Sequence, residues 1–144
     1  MDVITCASVN LHANYVTLKW KGKTWSENAK YIKNGGEYPE YRAFIKLVRE
    51  CMTQRCKRVI QAAIVHDVDA LVLGAWGSGV FGNSAEEVAG WFRAALTEIA
   101  SDAKAGGAPG KIKMQVVFAI PEFTADDVAK KRVFEAAFGI EGKK

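Results

Sequence analysis

The sequence predicts an α/β domain of the three-layer α/β/α kind, a mostly parallel sheet with helices on both faces. Two observations predict it. Short apolar runs alternate with longer stretches whose apolar residues recur every three or four positions, in the order strand, long helix, strand, helix, strand, helix. One run, "ALVLGAW" from Ala70, is continuously apolar over strand length, the pattern of a strand covered on both faces.

Each element has its own signals. "VITCAS" at 3–8 is short and rich in β-formers and reads as a buried strand. Residues 15–36 show no clean period and end in a turn signal at Asn34, Gly35, Gly36 and Pro39. From Glu40 a long amphipathic helix is expected, with Phe44, Leu47, Val48, Cys51 and Met52 on its inner face. The face continues through Cys56, Val59, Ile60, Ala63 and Ile64, and "HDVD" ends the helix. Ser84 followed by Glu87 forms a capping box for the next helix. Its buried stripe is Val88, Trp91, Phe92, Ala95, Leu96 and Ile99. "KAGGAPGK" reads as a surface loop, and "KIKMQVVFAIPEF" as a third strand stopped by Pro121. Thr124 caps a last helix, which carries Val128, Val133, Phe134 and Ala137 inward and ends at Gly139.

At 144 residues the chain is read as one domain, 1–144, of ordinary soluble composition. No apolar run approaches the ~18 residues that a membrane span needs, and no signal-peptide pattern opens the chain. Three cysteines without CxxC spacing suit a reducing compartment, so a cytoplasmic location is expected. With only His12 and His66, no zinc spacing can be assembled, and neither a metal nor another cofactor is expected. "LKWKGKTW" interleaves Lys19, Lys21 and Lys23 with Trp20 and Trp25, a pattern nucleic-acid binders use. With a net charge of only +4, a solvated lysine face is the better reading, and nucleic acid is not expected as a partner.

The most informative stretch is "GAWGSGVFGNS", glycine-rich and set between a strand and a helix start. The first N–H groups of a helix lack internal partners and lie at the positive end of its dipole. A loop there, at the carboxyl end of a strand, is where α/β proteins hold phosphates, and glycines let backbone N–H groups approach the ligand. The loop lacks the Gly-Lys-Ser/Thr of a Walker loop. Gly77-Ser78-Gly79-Val80-Phe81-Gly82 matches GxGxxG, but a dinucleotide site needs an acid at the end of the next strand, about 20 residues on, and here that strand ends near Glu122, much too far. GxSxG fails around Ser78, because Trp76 and Val80 occupy the glycine positions. Ser78 therefore reads as a hydroxyl donor to a phosphate or simply as a small residue. Phe81 reads as a partner for a ribose or base, or as a peg into the core. Trp76 reads as core, and Asn83 as a residue that shapes the turn.

These residues resemble the microbial-type poly(ADP-ribose) glycohydrolase domain, a branch of the macrodomain fold. The likeness rests on "LVLGAWGSGVFGN", on "RCKRVIQAAIVHDVDA" before it and on "VVFAIPEF" after it. "VITCASVN" resembles the family's strand leading to Ala-Pro-Asn, with Val9 in the proline place and Asn10 in the asparagine place. Ser78 stands where that family usually has cysteine. The resemblance implies a truncated macrodomain-like fold. It implies ADP-ribose or poly(ADP-ribose) as ligand, its diphosphate and ribose wrapped by Gly77, Ser78, Gly79, Val80, Phe81, Gly82 and Asn83, with Asn10 lining the site. The family's catalytic motif, Gly-Gly-Gly followed by Gln-Glu-Glu, is absent from this chain, so no catalytic residue is assigned.

The sequence is compatible with three functions: an ADP-ribose-type binding module without its own hydrolysis, a hydrolase whose glutamate comes from a missing segment or partner chain, and an interaction protein that has lost the ligand. The first is preferred, because the glycine loop is intact. The resemblance also implies missing strands. Either residues 15–36 cover the gap, or a partner chain completes the sheet as a homodimer, and the dimer is preferred.

Overall fold

The computed structural model describes residues 6–9, 39–79, 81–104 and 113–139. In chain order these residues form α1 (Pro39–Val65), β1 (Ala70–Leu73), α2 (Ala85–Lys104), β2 (Gln115–Phe118) and α3 (Ala125–Phe138). The domain is α/β, as expected. β1 and β2 pair in parallel, with Ala70 opposite Gln115 and Leu73 opposite Phe118.

α1 is one uninterrupted helix of 27 residues. Pro39 opens it, where a missing N–H costs nothing and a fixed φ is already helical. It closes in a Schellman motif: the Val68 N–H reaches the Ala63 carbonyl (3.3 Å) and the Asp67 N–H reaches that of Ile64 (3.0 Å). Asp67 takes the left-handed position there, at φ 49°, which glycine usually fills. α3 is capped at both ends. Thr124 and Asp127 form a reciprocal capping box, and Gly139 at φ 66° ends the helix in the left-handed conformation.

The core lies between the helices and one face of the strand pair. Val48, Met52, Cys56, Ile60 and Ala63 of α1 and Val88, Trp91, Phe92, Ala95 and Ile99 of α2 are buried in it, with Phe134 from α3. Leu71, Leu73 and Phe118 pack against this cluster from the strands. Phe118 sits at its aromatic centre, with ring centroids 5.3 Å from Phe92, 5.0 Å from Phe134 and 4.8 Å from Phe138.

Three sequence expectations differ from the structure. Leu47 and Cys51 were expected on the inner face of α1, but both are exposed, Leu47 by 63%. Contact with α2 follows the row 48–52–56–60, and the neighbouring row of the same apolar band is left outside. The continuous run of β1 implied two covered faces. Instead burial alternates, and Val72 is 64% and Val117 38% exposed, so among the described residues helices cover only one face. The expected first strand is not seen in its described part, since residues 6–8 have no strand pairing, while 3–5 lie outside the described residues.

Candidate functional site

β1 delivers the chain to the glycine-rich loop, and α2 leaves it. Trp76 holds the loop stem to α2, its ring centroid 6.2 Å from that of Phe92, which places it with the core as expected. From there a series of turns folds the backbone on itself. Trp76, Ser78, Gly82 and Asn83 donate their N–H groups to the carbonyls of Gly74 (2.8 Å), Ala75 (3.0 Å), Gly79 (3.0 Å) and Gly77 (3.1 Å). The N–H groups of Gly77, Gly79 and Phe81 make no backbone hydrogen bond among the described residues. Donors bonded within the bend thus lie on either side of donors left free of it.

The glycines have different reasons to be glycine. Gly77 and Gly82 sit at φ 84° and 71°, in the left-handed region that side chains disfavour. At Gly77 space is lacking as well. A Cβ would overlap the Ser8 hydroxyl and lie 2.7 Å from Asn83 Nδ2. At Gly79 the reverse holds, because a Cβ would meet nothing within 4 Å and φ is ordinary. Gly77 is required by the fold, whereas Gly79 faces open space.

Asn83 organises the underside of the loop. It is 3% exposed, and its Nδ2 donates to the Val9 carbonyl (2.9 Å), the Gly77 carbonyl (2.9 Å) and the Ser8 hydroxyl (3.3 Å). Its Oδ1 is buried without a partner among the described residues. Ser8 and Val9 are seated on α1 through Met52, since the Val9 N–H points at Met52 Sδ at 3.4 Å. Ser8 and Met52 were not foreseen as part of this region, whereas the family resemblance already sets Val9 and Asn10 at the site. Nothing in the local sequence pairs residues 6–9 with a loop that lies some seventy positions on, and only the fold brings them together.

The Ser78 hydroxyl donates to the Ala75 carbonyl at 2.8 Å, so its proton is engaged within the turn and its oxygen lone pairs face outward chemistry only as acceptors. Phe81 is 36% exposed, which removes the reading as a peg into the core. Asn10 and Val80 lie outside the described residues.

At the start of α2, Ser84 Oγ accepts the Glu87 N–H at 3.1 Å, the first half of the expected capping box. Glu86 and Glu87 place two carboxylates in this first turn. They complement the helix dipole, and they also repel any anion bound nearby, so attraction at the loop has to come from its own N–H groups. Among the described residues no group of histidine, cysteine and carboxylate side chains is arranged to hold a metal ion, and no helix is long and apolar enough to cross a membrane.

Comparison of the chain with family models, with curated proteins and with solved structures gives no match.

Proposed function

We propose that this chain is a macrodomain-like module that binds an ADP-ribose-type nucleotide through residues 77–83 and does not hydrolyse it. The observation that carries the reading is the set of backbone donors that the loop leaves unbonded. Gly77, Gly79 and Phe81 retain N–H groups with no backbone partner among the described residues, and the space over Gly79 is open. A row of backbone N–H groups ahead of a helix N-terminus is what a diphosphate, an acceptor-only group, can use. The exposed Phe81 ring beside it offers an apolar face to a ribose or base. The sequence resemblance to poly(ADP-ribose) glycohydrolases narrows the nucleotide to ADP-ribose. The Gly-Gly-Gly and Gln-Glu-Glu motif of that family is absent from the chain. General acid–base chemistry needs a carboxyl group within hydrogen-bond reach of the reacting oxygen.

Titration calorimetry with ADP-ribose, AMP, NAD and ATP tests the reading. ADP-ribose is expected to bind most tightly, and absence of heat at millimolar ADP-ribose rejects it. Release of ADP-ribose from the polymer is expected to be nil. Turnover by the pure chain that vanishes in Glu86→Ala makes the protein a rewired hydrolase instead.

A further inference from the structure

The short segment 6–9 lies across α1 in a definite register. Val9 N–H meets Met52 Sδ at 3.4 Å, and the Ala7 carbonyl accepts from Arg55 Nη1 at 2.7 Å. As the numbering falls from 9 to 7, the contacts on α1 therefore advance from Met52 to Arg55. Cys6 comes next on this path, and it lies near enough to Cys56, which shares a face with Met52 one turn earlier, to disfavour the charge of that thiol. Cys6 is exposed and Cys56 is buried, and both thiols are free. We propose that Cys6 and Cys56 form a redox-active pair that closes to a disulfide when the chain meets oxidised glutathione.

The chemistry divides between the two sulfurs. Burial, with a further contribution from Cys6, pushes the Cys56 thiol up to about 12, so Cys56 is a poor first nucleophile. The exposed Cys6 thiolate attacks one sulfur of glutathione disulfide. The S–S bond of the reagent breaks and one glutathione leaves as thiolate. Cys56 gives its proton to solvent and attacks the Cys6 sulfur of the mixed disulfide, which releases the second glutathione. Two protein thiols are oxidised by two electrons, and one glutathione disulfide is reduced to two glutathione molecules. The closed form ties residues 6–9 to α1 covalently. Ser8 and Val9 take hydrogen bonds from Asn83, so the link also fixes the seat of the glycine loop.

The test is to equilibrate the folded chain in glutathione redox buffers, trap the remaining thiols by alkylation and map tryptic peptides. Trypsin cuts after Arg55, so Cys51 and Cys56 fall in different peptides. The expected product joins the Cys6 and Cys56 peptides with loss of two hydrogens and leaves Cys51 alkylated. Cys51→Ser should give the same link, and Cys56→Ala should stop at glutathione on Cys6. Glutathione on Cys6 with Cys56 still free at equilibrium in the unmutated chain overturns the proposal, as does a link from Cys6 to Cys51 or loss of the link in Cys51→Ser.

Discussion

Asn83 is bonded twice to the same oxygen of Gly77: its backbone N–H reaches that carbonyl at 3.1 Å and its side-chain Nδ2 at 2.9 Å. The two ends of the bend are thereby closed by a single residue. The same amide nitrogen reaches Val9, which ties the bend to the opening of the chain. Asn83→Ala keeps the backbone bond and strands the Val9 carbonyl in a buried setting. A loss of about 2 kcal/mol in urea unfolding is expected. Asn83→Asp should cost at least as much, because it sets a carboxylate against two carbonyl oxygens. Stability equal to that of the unmutated chain in both variants would mean that the clasp is incidental.

Gly77 and Gly79 should separate cleanly under mutation. Gly77→Ala forces a side chain into left-handed backbone and against Ser8, and a loss of about 2 kcal/mol or more is expected. Ser8→Gly in the same chain should return part of this loss, since it removes the atoms that the new methyl group meets. Gly79→Val should leave unfolding nearly unchanged and weaken ADP-ribose by at least about tenfold, or roughly 1.4 kcal/mol. Unfolding midpoints and calorimetry on the same preparations read both effects.

Alkaline pH should loosen the domain through Cys56. Its thiol titrates near 9.0 when unfolded and is pushed up to about 12 in the folded chain. The folded state therefore holds a proton that the unfolded state releases between those values. The stabilisation is whole below pH 9.0 and is lost as pH rises toward about 12, by at most about 4 kcal/mol. Lys57 is raised as well, first by its hydrogen bond to Asp102 and then by that to Glu98, and so also loses stabilising charge in the alkaline range. Unfolding followed from pH 8 to 12 in Cys56→Ala and in Lys57→Met separates the two, and Cys56→Ala should show the shallower slope relative to the parent.

The outer face of the strand pair carries Val72 and Val117 into solvent among the described residues. A homodimer is the expected arrangement in solution, in keeping with the preference for closed two-fold pairs. Sedimentation equilibrium at micromolar concentration should give twice the chain mass. A monomer at all concentrations rejects the dimer.

Legibility in the sequence followed the range of the interactions. α2 was readable almost residue by residue, because a 3.6 period, a serine cap and a single broad apolar stripe agree locally. α1 was readable as a helix but not as a face. Its apolar band is two rows wide, and only the position of α2 decides that Val48 and Met52 go in while Leu47 and Cys51 stay out. The glycine loop was readable as a bend before a helix. The separate duties of Gly77 and Gly79 were not, because one depends on Ser8, far away in the chain, and the other on empty space. The macrodomain-like sandwich remains part of the proposal, since the described residues show a two-stranded parallel sheet with helices on one side.

The two ends of α2 are held by different physics. At its start, the buried amide of Asn83 grips Ser8 and Val9 through short-range hydrogen bonds. Toward its end, the Lys57 ammonium from α1 bridges Glu98 and Asp102, each at 3.1 Å, on the exposed surface. Dissolved ions weaken the second attachment and barely touch the first. Ionic strength thus acts on this helix as a one-sided lever: high salt slackens the surface tie of its last turns, which the burial of Ala95 and Ile99 still holds to the core, while the turn beside the glycine loop does not respond.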